Sequence, residues 1–138
     1  MRYLLDTNVV RELRKGPAAT PAVAAWANSV ESADLGMSVL ALGEIRHGIE
    51  VLRRRGDSEH SEIFAAWLDR LRSEFADRLL AVSGTIAERW GERRGITPLP
   101  PIDGLMAATA LGHDLTFVTL DTGPREGTGV RLLNPWER

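Results

Sequence analysis

Four carboxylates are spaced so that they could act together: Asp6, Glu44, Asp103 and Asp121. Asp6 closes the apolar run Tyr3-Leu4-Leu5 and opens Thr7-Asn8, so its side chain is expected at the rim of a sheet, where α/β folds place their ligands. The same position suits a residue that merely caps the following helix. Glu44 lies beside the apolar stripe of a later helix, with Leu40 and Gly48 one turn to either side and no basic residue at those places to pair with it. Solvation, or pairing with His47 at i+3, is its structural alternative. Gly43 and Gly48 each cost about 1 kcal/mol in a helix interior, which points to close packing or substrate approach on that surface. Asp103 is the sole charge between Pro100 and Leu111. A helix dipole favours an aspartate in the first turn, but a carboxylate beside so apolar a segment needs a cation or several donors to meet it. Asp121, in Leu120-Asp121-Thr122-Gly123-Pro124, follows a late strand, and its neighbours are also ordinary turn residues.

Acids gathered at one edge of a sheet repel each other, and hard divalent cations such as Mg²⁺ or Mn²⁺ relieve that repulsion. In phosphodiester hydrolysis such ions lower the pKa of a bound water and stabilise charge on the phosphate oxygens. Asp6 and Asp103 are the expected direct ligands. Glu44 would complete the shell or orient the attacking water, and Thr7 or Asn8 would position phosphate or water. The chain has no cysteine, which removes thiolate ligands, disulfides and cysteine nucleophiles together. None of His47, His60 and His113 stands in a nucleophile context such as Gly-x-Ser-x-Gly, and there is no phosphate-binding glycine loop.

The elements that must position these acids follow from hydrophobic period and punctuation. Tyr3-Leu4-Leu5 reads as a strand and Val9 to Leu13 as a helix stopped by Gly16-Pro17. Thr20-Pro21 opens a second helix, with Thr20 as cap, carrying Val23, Trp26 and Ala27. Leu35 to Val39 is a short apolar strand that feeds a helix with Leu42, Ile45, Ile49 and Leu52 on one side. From Ser58, the residues Ile63, Phe64, Trp67, Leu68, Leu71 and Phe75 repeat at helical spacing. Leu79 to Val82 reads as a third strand, Thr85 to Arg94 as a helix, 97–101 as a rigid connector and Ile102 to His113 as an apolar helix. Leu115 to Thr119 and Val130 to Leu133 complete the strands, separated by a turn-rich stretch. Alternation of this kind predicts an α/β fold in which a mostly parallel central sheet of about five strands is flanked by helices.

A chain of 138 residues suits one domain over 1–138. No stretch reaches the roughly 18 apolar residues of a membrane span, and the N-terminus lacks the hydrophobic region of a secretory signal, so a cytoplasmic protein with no membrane association is expected. With 17 basic against 19 acidic residues, net charge gives no long-range attraction for nucleic acid. That objection weakens if the acids converge while Arg11, Arg14, Arg53, Arg54, Arg55, Arg93 and Arg94 line the rim of their groove.

Four segments, spread along nearly the whole chain, carry a resemblance. They are Leu5-Asp6-Thr7-Asn8-Val9-Val10-Arg11-Glu12-Leu13-Arg14-Lys15, Ser38-Val39-Leu40-Ala41-Leu42-Gly43-Glu44-Ile45-Arg46-His47-Gly48-Ile49, Ile102-Asp103-Gly104-Leu105-Met106-Ala107-Ala108-Thr109-Ala110, and Gly127-Thr128-Gly129-Val130-Arg131-Leu132-Leu133-Asn134-Pro135-Trp136. Together they resemble the PIN-domain nucleases, specifically the VapC-type toxins of bacterial toxin–antitoxin pairs and their FitB-like subgroup. The resemblance implies a PIN-like three-layer fold and a Mg²⁺-dependent endoribonuclease, the toxin of a type II pair, with Asp6, Glu44 and Asp103 on the first three acidic positions. It also implies an RNA substrate, a homodimer, and a cognate antitoxin that covers the acidic groove and pushes an arginine into it; helices bearing Trp26, Phe64 and Trp67 are candidate places for that contact. Where relatives often carry Arg-Asn and then an aspartate after the late strand, this chain has Leu120-Asp121 and Pro124-Arg125. Either Asp121 supplies the fourth carboxylate or the fourth position is degraded.

A degraded fourth acid would favour the alternative, a catalytically weak PIN-like module acting through antitoxin binding and operon regulation. A phosphotransferase of the haloacid-dehalogenase type needs a second acid two residues after the first, where this chain has Asn8. A response-regulator receiver wants a lysine after a late strand, where only arginines occur.

Overall fold

In the computed structural model, which describes residues 1–96 and 99–137, five parallel strands form one sheet. In chain order these are β1 (Tyr3–Leu5), β2 (Leu35–Ser38), β3 (Leu79–Leu80), β4 (Thr116–Val118) and β5 (Leu132–Leu133). They lie side by side as β3-β2-β1-β4-β5. The connecting helices are α1 (Thr7–Arg14), α2 (Pro21–Ser29), α3 (Val39–Arg54), α4 (Ser58–Glu74), α5 (Gly84–Arg93) and α6 (Pro101–Gly112).

Successive strand residues point to opposite faces of a sheet, so neighbours that are both buried mean that both faces are covered. Leu4 and Leu5 are both buried, as are Phe117 and Val118. One hydrophobic cluster joins these strand residues to Val9 and Val10 of α1, Ile45 and Ile49 of α3, Leu68 and Leu71 of α4, and Met106 and Ala110 of α6. This is the layered α/β arrangement that the alternation of elements predicts, with strands shorter than their apolar runs. The connector expected over 97–101 falls partly outside the described residues, at 97 and 98.

From β1 the chain moves outward through β2 to β3, then returns to the other side of β1 for β4 and β5. The reversal lies between β1 and β4, paired in register from Tyr3 with Thr116 to Leu5 with Val118. A crevice at the carboxyl ends of such a strand pair is where parallel sheets bind ligands. Asp6 leaves β1 at that end, and the Asp6 backbone N–H donates to the Val118 carbonyl at 2.9 Å, which carries the β1–β4 ladder one step into the crevice.

Several expectations change at the level of side chains. Thr20 makes no side-chain cap, so α2 starts on Pro21 alone. Trp26 is buried edge-on against Tyr3, with ring centroids 5.3 Å apart, and belongs to the core rather than to a docking surface. Gly43 faces open space and Gly48 meets only the Arg11 side chain, so close packing does not explain that pair. Arg53, Arg54 and Arg55 end α3, roughly 15 Å along the helix axis from Glu44, and do not line the crevice. Among the described residues no helix is long and apolar enough to cross a membrane.

Candidate active site

Asp6 is both cap and site residue. It holds the extended backbone of an N-cap, with φ −69° and ψ 156°, and its Oδ1 accepts the Thr7 N–H at 2.8 Å. That leaves Oδ2 free to turn into the crevice, where it accepts from the Thr119 hydroxyl at 2.7 Å, the Arg125 Nη2 at 3.3 Å and the Asn8 amide at 3.4 Å. A buried carboxylate with this many donors is held in one orientation. Asn8 in turn accepts the Leu120 N–H through Oδ1 at 3.5 Å, so the residue after Thr7 braces the end of β4.

Glu44 reaches the same crevice from the second turn of α3. Its Oε1 accepts the Thr7 hydroxyl at 2.6 Å, and its backbone carbonyl accepts Arg11 Nη2 at 3.3 Å. The pairing with His47 does not form among the described contacts. Thr7 therefore works at both ends, its amide on Asp6 and its hydroxyl on Glu44.

Asp103 sits in the first turn of α6, behind Pro101 at the start of the helix. The cation that its apolar surroundings demand is Arg125, whose Nη2 lies 3.0 Å from Asp103 Oδ1. Burial pushes the Asp103 carboxyl above its ordinary value; the Arg125 guanidinium opposes this, and the charges of Asp6 and Asp121 add to it. Asp121 is exposed at the lip, tied by its main chain: its N–H donates to the Thr119 hydroxyl at 3.1 Å and its carbonyl accepts Arg125 Nη1 at 2.7 Å.

All four predicted acids, with Thr7 and Asn8, line one groove together with Arg11, Pro100, Pro124 and Arg125. Of the arginines expected at the rim, Arg11 is there; Arg93 instead donates to the Thr128 carbonyl and Arg94 lies over the Trp90 ring. Sequence reasoning missed Thr119 and Arg125. The signal for Arg125 was the uncompensated charge of Asp103, which asked for a cation without saying that the chain itself would supply one.

The donor set suits a hard divalent ion, because every candidate ligand is an oxygen. Asp6 and Asp103 converge on one point, marked by the cationic Nη2 of Arg125. As the side chains lie, no three acidic or histidine groups among the described residues stand close enough to hold one ion. Of the expected ligands Asp6, Glu44 and Asp103, the structure brings Asp6 and Asp103 to one point, while Glu44 is joined to Thr7 instead.

Residues 3–127 match the PIN domain family. The chain is 32% identical to the toxin FitB of Neisseria gonorrhoeae, over 96% of its own length and 97% of that protein's. It is 31% identical to VapC ribonuclease Y4jK of Sinorhizobium fredii, over 97% of each. In three dimensions it is similar to the crystal structure of FitAcB from Neisseria gonorrhoeae, with a TM-score of 0.87 at 30% identity over 99% of each chain.

Proposed function

The chain belongs to the PIN-domain family, and on that footing we propose that it is a metal-dependent endoribonuclease, the toxin of a toxin–antitoxin pair, which hydrolyses RNA in the cytoplasm and is neutralised by a cognate antitoxin. The observation that carries this reading is the convergence of Asp6 and Asp103 on a single cationic point at the sheet's reversal. Mg²⁺, with Mn²⁺ as substitute, is the metal that an all-oxygen site calls for.

Asp6 and Asp103 are the residues to hold it. A divalent ion bound there would polarise the phosphate and lower the pKa of a water. The protein's own contribution is orientation. Thr7 fixes Glu44 by a short hydrogen bond, leaving the second Glu44 oxygen to direct a water toward phosphorus. Arg11, exposed on the same groove, is placed to meet a flanking phosphate, and Asn8 holds the lip formed by Leu120. The objection from net charge weakens at the groove itself, where Arg11 on the rim acts at contact distance and the total of −2 matters little.

For the antitoxin, the surface that fits is the apolar depression between α1, α3 and α4, lined by Ile45, Ile49, Leu52, Phe64 and Trp67 and edged by Arg11, Arg14 and Lys15. Arg14 lies over the Phe64 ring at 4.4 Å, so the aromatic face is partly screened from water. A homodimer accompanies this reading. One observation favours the second reading, a catalytically weak binding module: Arg125 stands against the two acids that a metal needs.

Cleavage of a defined structured RNA by the purified, antitoxin-free protein, with Mg²⁺ or Mn²⁺ against EDTA and beside Asp103→Asn, separates the two. Metal-dependent cutting lost in the variant supports the nuclease. No cutting on a broad RNA panel, from protein shown to be folded, favours the binding module.

A further inference from the structure

Arg125 is the one buried basic residue among the described residues, at 4% exposure. Its backbone is pinned: the N–H donates to the Thr122 carbonyl at 3.0 Å, and the carbonyl accepts the Thr128 N–H at 3.2 Å and hydroxyl at 2.7 Å. The side chain runs over the Phe117 ring, 5.2 Å from its centroid, into the floor of the acidic groove. There Nη2 donates to both Asp6 and Asp103, Nη1 donates to the Asp121 carbonyl, and the buried Nε finds no partner among the described residues.

We propose that Arg125 is an internal counter-cation which competes with the divalent metal for Asp6 and Asp103, so that loading the site requires Nη2 to withdraw from between them. This rests on the metal-dependent reading above. A nitrogen 3.3 Å from one carboxylate oxygen and 3.0 Å from the other occupies the space a shared ion would take. A guanidinium and a divalent ion at that separation repel strongly in a poorly solvated crevice, so both cannot stay. Withdrawal is made easier by the arginine's own bonding. An unsatisfied buried N–H is a penalty carried only in the inward pose. The bond from Nη1 goes to a main-chain carbonyl at the exposed lip, about which the guanidinium can turn outward without losing every partner. In the metal-free protein Arg125 bridges two acids that would otherwise repel, and so keeps them converged. It thereby weakens the site's apparent affinity for metal while preserving its shape.

The test is Mn²⁺ binding to the 138-residue chain, measured by calorimetry without RNA, for wild type, Arg125→Met, Arg125→Lys and Asp103→Asn. Methionine keeps the packing on Phe117 and removes the charge. Arg125→Met should bind Mn²⁺ about tenfold more tightly than wild type, the scale of one lost like-charge neighbour, and its metal-free Tm should be lower. Lysine has a point charge that cannot span the same acceptors, so Arg125→Lys should be displaced more readily and fall between the two; it also serves if the methionine variant does not fold. Equal or weaker binding in both variants, with Asp103→Asn abolishing it, would overturn the competition and make Arg125 a structural brace for the ligands. If neither wild type nor the Arg125 variants bind Mn²⁺ while folded, the metal reading fails and this inference with it.

Discussion

The hydroxyl of Thr119 donates to Asp6 Oδ2 at 2.7 Å, joining the end of β4 to the acid that follows β1 across the point where the strand order reverses. Both residues are buried, and the same hydroxyl accepts the Asp121 N–H. Valine keeps the shape and removes the hydrogen bond. Thr119→Val should therefore cost about 1.5–3 kcal/mol, the range for a bond to a charged group, seen as a fall in Tm of roughly 5–10 °C. RNA cleavage should fall as well, because Asp6 loses one of the donors that orient it. An unchanged Tm would show that the hydroxyl does not hold the carboxylate.

The four acids should separate by how they are held. Asp6→Asn and Asp103→Asn should lower cleavage by about a hundredfold or more, beyond the range seen for outer-shell partners, with the fold retained. Glu44→Gln, acting at one remove through Thr7, should fall within roughly 10–100-fold. Asp121 is exposed and, among the described residues, engaged only through its main chain, so Asp121→Asn should cost less than about tenfold. Steady-state cleavage by the four variants under one metal concentration reads the order directly, and an Asp121 variant as damaged as Asp103→Asn would make it a ligand.

What the sequence shows and what it hides divide along physical lines. Asp6 was legible because an apolar run ending in Asp-Thr-Asn can hardly place that carboxylate anywhere but the end of a strand. Asp103 was legible through its cost, since nothing within a turn of it offers charge. The long helices followed from their period, whereas the strands were over-read: in Leu79 to Val82 only two residues pair, because a strand's end is set by its neighbour and not by its own composition. Arg125 was illegible for a related reason. Its position in Gly123-Pro124-Arg125 marks a turn, and turns are usually exposed. Only the partners waiting across 22 and 119 residues of chain draw its side chain inward. Trp26 and Trp67 have the same local look, yet one lies in the core and the other is half-buried at a groove.

Asp103 should leave a signature in stability against pH. Burial raises its carboxyl above the ordinary 3.8, with Arg125 only partly opposing this. Because the folded state holds the proton more tightly than the unfolded state, the wild type loses this contribution as pH rises from the ordinary carboxylate value through the raised one. Asparagine is neutral throughout. The Tm of Asp103→Asn relative to wild type should therefore increase from about pH 4 toward pH 7. A flat difference, or one that falls, would mean that Arg125 more than compensates the burial.

Gly104, the residue after Asp103, sets how closely α6 approaches α5. On helix propensity alone, alanine there should stabilise by about 1 kcal/mol. A Cβ built on Gly104 would stand 2.9 Å from Cδ1 and Nε1 of Trp90, inside any normal contact. For alanine to fit, the indole or the helix must shift, and the indole carries the Arg94 guanidinium over its face at 5.0 Å. Overpacking of this kind costs about 1–3 kcal/mol, enough to cancel or reverse the propensity gain. Any relief gained by moving α6 shifts its first turn, and with it Asp103 relative to Asp6. Gly104→Ala should thus fail to raise Tm and should lower cleavage, while the same change in a Trp90→Leu background, where space is available, should be stabilising or neutral. Calorimetric melting of the four proteins in a double-mutant cycle measures the coupling. Additivity would show that Trp90 does not limit the helix approach, and a stabilised Gly104→Ala with full activity would separate the position of α6 from the placement of Asp103.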